Sequence, residues 1–274
     1  MIFTRQDHDR LTQIVVEAGR REVMLRFGKL AADEVRQKCS PGDLVTQADE
    51  AAEQFICAEL SRAFPGALLV GEENVSAEPA LLDRLSHADL AFVIDPIDGT
   101  LNYASHVPLF AVMAAAVVRG ETVAAIIHDP VVGDSALALR GEGAWLSQPD
   151  GGSRDLRAAQ AVELAAMSGM VSWQYFPEPR RTELPRYFGA FANVSSLRCC
   201  GHEYRLAAAG HCHFLLYGRL NPWDHAPGSL LHSEAGGYAR MLDGTLYRPG
   251  KPSTGLLCAP DHHSWHEIRS VFTP

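Results

Sequence analysis

Phe92-Val93-Ile94-Asp95-Pro96-Ile97-Asp98-Gly99-Thr100-Leu101-Asn102 is the stretch on which the reading of this chain turns. An apolar run ends in two carboxylates three residues apart, and a Gly-Thr pair follows. A strand without polar alternation belongs inside a sheet covered on both faces, so its acids emerge at the strand end, where the crevices of α/β sheets lie. Carboxylates grouped there suit a hard cation such as Mg²⁺, which takes oxygen ligands and keeps several waters. Gly99 lets backbone approach a ligand, and N–H groups opening a turn or helix make a seat for phosphate. The plain alternative is a solvated turn with Asp as a local cap. The apolar strand directly before it argues against that.

Two further acid clusters stand where they could converge with this one. Leu68-Leu69-Val70-Gly71-Glu72-Glu73 also ends a strand in carboxylates, and Asn221-Pro222-Trp223-Asp224 places an acid at the start of a helix. Alone, Asp224 reads equally well as a helix cap, and Glu72-Glu73 as surface charge. The weight comes from having all three.

Around these clusters, apolar residues recur at helical spacing over 5–28, with Gly28 as the stop, and over Ala48–Ala63, ended by Pro65-Gly66. Strands are predicted over Ala67–Val70, Leu90–Ile94, Phe110–Val118, Thr122–His128 and Ser135–Arg140, the last pairing back on its predecessor. Gln148–Ser153 reads as a linker. It divides the chain into residues 1–147, an α+β half with most of the acids, and 154–274, an α/β half with Asp224. In the second half strands are predicted near Met167–Val171, Ser195–Cys199, His213–Tyr217, Tyr238–Leu242 and Gly255–Ala259. Helices are predicted within Leu184–Ala192, near His202–Ala209, and over Asp224–Ala235 and Asp261–Val271.

Composition excludes several classes. With 47% hydrophobic and 21% charged residues in 274, the chain is long and apolar enough for a substantial core. Asp+Glu 33 against Lys+Arg 24 leaves −9, which argues against a protein that coats nucleic acid. The longest apolar run, Leu109–Val118, has ten residues, about half of what a membrane-spanning helix needs. No signal-peptide core follows Met1, and a cytosolic protein is expected. The six cysteines show no disulfide spacing. Cys199 and Cys200 are expected on opposite faces of a strand, and a strand through His211-Cys212-His213 would part Cys212 from both histidines, which disfavours zinc there.

Gly71-Glu72-Glu73, Asp95–Tyr103 and Trp223-Asp224-His225-Ala226-Pro227-Gly228, with Gly42–Asp49 and Glu234–Gly237, resemble the inositol monophosphatase family. These are Mg²⁺-dependent, lithium-sensitive phosphatases related to fructose-1,6-bisphosphatase. The resemblance runs from about residue 10 to 260 and implies a layered αβαβα sandwich, usually a homodimer. It implies two or three Mg²⁺ ions, one held by Glu72, Asp95 and the carbonyl of Ile97, another by Asp95, Asp98 and Asp224. Asp49 and Thr100 resemble the pair that orients and deprotonates the attacking water, and Gly99 and Thr100 the backbone donors to phosphate. A small phosphorylated substrate is the implied partner, with neither nucleic acid nor membrane.

Elementary chemistry agrees with that scheme. A dianionic phosphate ester is repelled by a bare acidic pocket, and bound cations invert the field. The rival is a haloacid-dehalogenase-type phosphatase, whose Asp-rich motif also ends in Asp-Gly-Thr but spaces its acids two apart and uses the first as nucleophile. A second rival is a catalytically silent binding protein on the same fold, which intact metal acids disfavour. The departures concern the leaving group. Tyr217 stands where inositol-cleaving members carry an acid, His202 and Glu203 replace small residues after Gly201, and Arg219 leads toward Asp224. These positions are expected to line the alcohol pocket. Inositol phosphate is the family default; sugar phosphates, histidinol phosphate, NADP and nucleotide bisphosphates stay open.

Overall fold

The computed structural model describes residues 2–31, 34–37, 44–251 and 254–273. Helix α1 (Arg5–Ala18) begins at a reciprocal cap, in which the Thr4 hydroxyl accepts from Asp7 N while Thr4 N donates to the Asp7 carboxylate. It buries Leu11, Ile14, Val15 and Ala18. The α-helix is shorter than its periodicity predicts. At Gly19, where a Cβ would come within 2.8 Å of the His128 ring, it widens into a π-helical turn, Gly19–Val23. The short antiparallel pair β1 (Val35–Gln37) and β2 (Leu44–Thr46) leads into α2 (Gln47–Ala63), where Thr46 and Asp49 repeat the reciprocal cap. Cys39, Gly42 and Asp43 lie outside the described residues.

Seven strands follow in spatial and chain order: β3 (Leu68–Gly71), β4 (Ala91–Asp98), β5 (Ala111–Val118), β6 (Glu121–Asp129), β7 (Asp134–Leu139), β8 (Gly143–Ser147) and β9 (Ser153–Asp155). β3 and β4 are parallel, joined through α3 (Glu72–Ala77) and α4 (Leu81–Leu85); the remaining pairs are antiparallel. β4 runs directly into α5 (Thr100–Ala104). The Gln148–Ser153 stretch is not a linker. It closes the β8–β9 hairpin, with Gln148 N donating to Gly152 O at 2.8 Å. Turn chemistry is the same in both settings, so composition alone could not separate them.

A second sheet of five strands comprises β10 (Ser168–Val171), β11 (Asn193–Ser195), β12 (Phe214–Tyr217), β13 (Tyr238–Met241) and β14 (Leu256–Ala259), in the order β11-β10-β12-β14-β13. Its helices are α6 (Arg180–Glu183), α7 (Cys200–Ala208), α8 (Pro222–Glu234) and α9 (His262–Phe272). Two expectations shift here. Leu184–Ala190 is a 3₁₀ segment with Pro185 at its start, and β11 stops at Ser195, so Cys199 caps α7 and Cys200 opens it.

Side-chain alternation on the strands sets the layering. Phe92, Ile94, Val112, Ala114 and Ile126 pack on α1 and α2. Ala111, Met113, Ala125, Ile127 and Ala136 face the other way, onto Tyr204 and Ala208 of α7 and Leu230 and Leu231 of α8. Leu215, Tyr217 and Cys258 join that middle core from the second sheet, while Leu216, Phe214 and Leu257 face Trp265, Ile268 and Phe272 of α9. The order is helix, seven-stranded sheet, helix, five-stranded sheet, helix: the αβαβα sandwich expected. No helix among the described residues is long and apolar enough to cross a membrane.

Candidate active site

The Asp95-Pro96-Ile97-Asp98 spacing works through a bulge. Asp95 lies opposite Met113 and Asp98 opposite Ala111, so β4 spends one residue more than β5 over this interval. In a regular strand residues three apart face opposite ways; one extra residue returns Asp98 to the face of Asp95. Pro96 sits inside the bulge, where its missing N–H breaks no regular ladder. Gly99 then turns the chain with φ 89°, and a Cβ there would lie 3.1 Å from both Cys199 Cβ and Leu109 O.

Glu72 reaches the same crevice from β3. It is the first residue of α3, whose opening N–H groups are held from below: Glu53 of α2 accepts from Glu73 N and Asn74 N, each at 2.8 Å. Gly71 is required at this point because a Cβ would fall 2.2 Å from the Glu53 carboxyl carbon. Asp224 arrives on α8. Asn221 is the cap residue and Asp224 lies in the first turn, its Oδ2 accepting from Asn221 Nδ2 at 3.1 Å rather than from helix backbone.

Glu72, Asp95, Ile97, Asp98 and Asp224 line one cavity of about 590 Å³, together with Gly99 and Thr100. Burial pushes the Asp95 carboxyl well above the usual carboxylate range, and the charges of Glu72, Asp98 and Asp224 add to the rise. Asp224 is pushed to about 7, by burial and then by Glu72 and Asp98. Asp98 rises less freely because α7 solvates it: Oδ2 accepts from Gly201 N at 2.6 Å and Cys199 Sγ at 3.0 Å, and Oδ1 from Cys200 N at 3.3 Å. Among the described residues no three donors close on a single point. The donors nevertheless suit a hard divalent cation. They are all oxygens, they repel one another in a dry site, and Asp95 Oδ1 is buried with no hydrogen-bond partner.

Beside them stand Asp49 and Thr100. The Thr100 hydroxyl is 3.2 Å from Asp49 Oδ1 and 2.9 Å from Ile97 O. Asp49 is fully buried and its carboxyl is raised to about 7, chiefly by burial, with Thr46 pulling the other way and Glu72 adding to the rise.

The expected alcohol-binding residues divide. Glu203, Tyr217 and Arg219 line the cavity; His202 does not, its Nε2 lying 3.1 Å from Phe110 O and its ring near Asp129. Glu203 and Tyr217 are buried and spent on each other, the Tyr217 hydroxyl donating to Glu203 Oε2 at 2.9 Å while Oε1 accepts from Leu197 N at 2.8 Å. They form a floor rather than free recognition groups. The sequence reading missed Glu53, Cys199, Gln174, Arg181 and Arg198. Gln174 carries a buried amide oxygen without a partner against the cavity.

Fold and site together define a metal-dependent phosphatase of the αβαβα type. The chain belongs to the inositol monophosphatase family, which it matches over residues 7–270. A Mesorhizobium japonicum protein named inositol-1-monophosphatase is 31% identical over 85% of each chain. The Nus factor SuhB of Salmonella typhimurium is 33% identical over 86% of each. A solved IMPase of Thermotoga maritima is 24% identical, has a TM-score of 0.79 and covers 97% of this chain and 96% of its own, which shows the fold.

Proposed function

We propose that this chain hydrolyses a small phosphate monoester by direct attack of water, with two or three Mg²⁺ ions held by Glu72, Asp95, the Ile97 carbonyl, Asp98 and Asp224. The observation that carries the reading is the buried, unpartnered Asp95 Oδ1 among three other carboxylates, in a cavity also lined by Thr100, whose hydroxyl meets Asp49. Bound Mg²⁺ would neutralise the phosphate, lower the pKa of water and stabilise the leaving oxygen. The protein's own groups do the rest. Thr100 can pass its hydroxyl proton to Asp49 Oδ1 while accepting one from the attacking water. A carboxyl near 7 is matched to that proton transfer at neutral pH. Backbone N–H groups of Gly99 and Thr100 would seat the phosphoryl oxygens.

The family's default substrate is an inositol phosphate, and a relative's name supports it. The partnerless Gln174 amide oxygen suits a hydroxylated leaving group. Relatives named as Nus factors belong to the same comparison, and the phosphatase reading is preferred because Glu72, Asp95, Asp98 and Asp224 line one cavity. Homodimerisation, millimolar-range lithium inhibition and a cytosolic location belong to the same reading.

The test is phosphate release by the purified protein from inositol 1-phosphate, sugar phosphates, histidinol phosphate, NADP and nucleotide bisphosphates, with and without Mg²⁺. Asp95→Asn or Asp224→Asn should cost about a hundredfold or more with the fold retained. Undiminished release in excess chelator refutes the proposal.

A further inference from the structure

Helix α9 turns a pair of metal-ligating side chains outward. His262 and His266 stand four residues apart, hence on one face of the helix, and both are exposed. Their Nε2 atoms lie 3.1 Å apart. Two bonds of the length zinc makes to imidazole, meeting between a right angle and the tetrahedral angle, would hold two such atoms about 2.8–3.4 Å apart. Without an ion, two neutral rings satisfy that distance only as opposite tautomers, one N–H donating to the other's lone pair.

Neighbouring rings hold both imidazoles in place. Tyr238 of β13 meets His262 nearly at right angles, with 5.3 Å between ring centroids, and Trp265 meets His266 in the same way at 5.0 Å. Trp265 is itself buried and donates its indole N–H to Leu257 O at 3.0 Å. The helix beneath is fastened by Asp261 Oδ1, which accepts from Ser264 N at 2.7 Å, and by Arg269 Nε, which donates to Leu242 O at 2.6 Å. Side chains packed in this way have less freedom to lose when they take a ligand, which favours affinity in a small site. The adjacent His263 faces away from the pair, with its Nε2 3.6 Å from Glu267 Oε2.

We propose that His262 and His266 chelate a borderline divalent transition ion, such as Ni²⁺ or Zn²⁺, on the outer face of α9 and apart from the Mg²⁺ acids. Neutral imidazole suits such ions, whereas Mg²⁺ takes oxygen. Among the described residues no third His, Cys, Asp or Glu closes on the pair. Water therefore fills the remaining positions, and the ion stays exchangeable. It clasps the first two turns of α9, whose other face carries Trp265, Ile268 and Phe272 in the core against the second sheet. An ion that needs the folded helix for its two ligands stabilises the chain by mass action. This site stands whether or not the phosphatase reading does.

The experiment titrates the purified protein with Ni²⁺ in excess Mg²⁺, so that sites built of oxygen alone are already filled. Calorimetry gives affinity and stoichiometry, and the paramagnetic ion should quench Trp265, whose ring packs on His266. His262→Gln/His266→Gln should lose a single Ni²⁺ equivalent and the quenching that goes with it. Either substitution alone should weaken that equivalent by about tenfold or more, because the second donor no longer binds from the same helix. His263→Gln should change neither reading. Thermal unfolding without Ni²⁺ should match wild type in every variant, since the substituted side chains are exposed. Across ions, affinity should fall from Ni²⁺ through Co²⁺ to Mn²⁺. Equal Ni²⁺ binding and quenching in wild type and the double variant would overturn the proposal, as would a preference for Mn²⁺, which points to carboxylates. A loss confined to His263→Gln would move the ion to the His263–Glu267 pair and overturn the assignment.

Discussion

Glu53→Ala removes a carboxylate that touches no substrate and yet should weaken Mg²⁺ binding. Glu53 is 2% exposed, and its two oxygens take the N–H groups of Glu73 and Asn74, both at 2.8 Å, at the start of the helix that carries Glu72. Hydrogen bonds to an ionised acceptor are worth about 1.5–3 kcal/mol each, and orphaned donors and a small cavity add to the loss. Against this, burial holds the Glu53 carboxyl near 7, so part of the gain is already spent on keeping it charged. A net cost of about 3 kcal/mol is the outcome, or about 6–12 °C in Tm for a chain of this size. Glu53→Gln keeps one carbonyl acceptor and should lose about half as much. Thermal unfolding and a Mg²⁺ titration of steady-state rate are the assays. The Ala variant should need about tenfold more Mg²⁺ for half-maximal rate, with kcat at saturating Mg²⁺ changed much less. An Ala variant that melts within about a degree of wild type, with the same Mg²⁺ dependence, would refute the reasoning.

Glu203 gives the chain an unusual pH dependence. Burial raises its carboxyl to about 7 from the usual 4.5, so the folded state binds this proton more tightly than the unfolded state. Its contribution is complete below the lower value and is lost as pH climbs to the upper one, a swing of about 3 kcal/mol. In metal-free protein, Glu203→Gln should flatten the decline in denaturant-measured stability between about pH 5 and 8, and a curve parallel to wild type rejects the assignment. Thr100→Ala should lower kcat by about a hundredfold and leave KM within a few-fold, while Thr100→Ser retains most activity; steady-state kinetics showing wild-type kcat in the Ala variant would remove Thr100 from the proton path.

What could be read from the sequence was whatever leaves a local pattern. The apolar strand ending at Asp95 and the helix opened by Pro222 are written in neighbouring residues. The double use of Asp49 was not legible: it both caps α2 and accepts from Thr100, which a fold must bring fifty-one positions back. The bulge at Pro96 was not legible, because the extra residue and the face it selects are defined only by pairing with β5. Glu53 left no signal because a mid-helix carboxylate normally faces water, and only the collision course of Gly71 marks it as a support. Arg181 lies on the one-turn helix α6 and Arg198 on the loop before α7, segments too short to leave a periodic signal, so nothing short of the fold places them on one cavity. Cys199 and Cys200 misled because β-rich composition before a helix does not say where the strand stops.

The stereochemical course at phosphorus tests the central claim most directly. A phosphorothioate monoester made chiral with oxygen isotopes, hydrolysed in water of a third isotope, yields inorganic thiophosphate whose configuration records the number of displacements. Direct in-line attack by water, with Asp95 and Asp98 serving as ligands, predicts inversion. Retention would mean two displacements through a phosphorylated side chain, and would contradict the assignment of these aspartates.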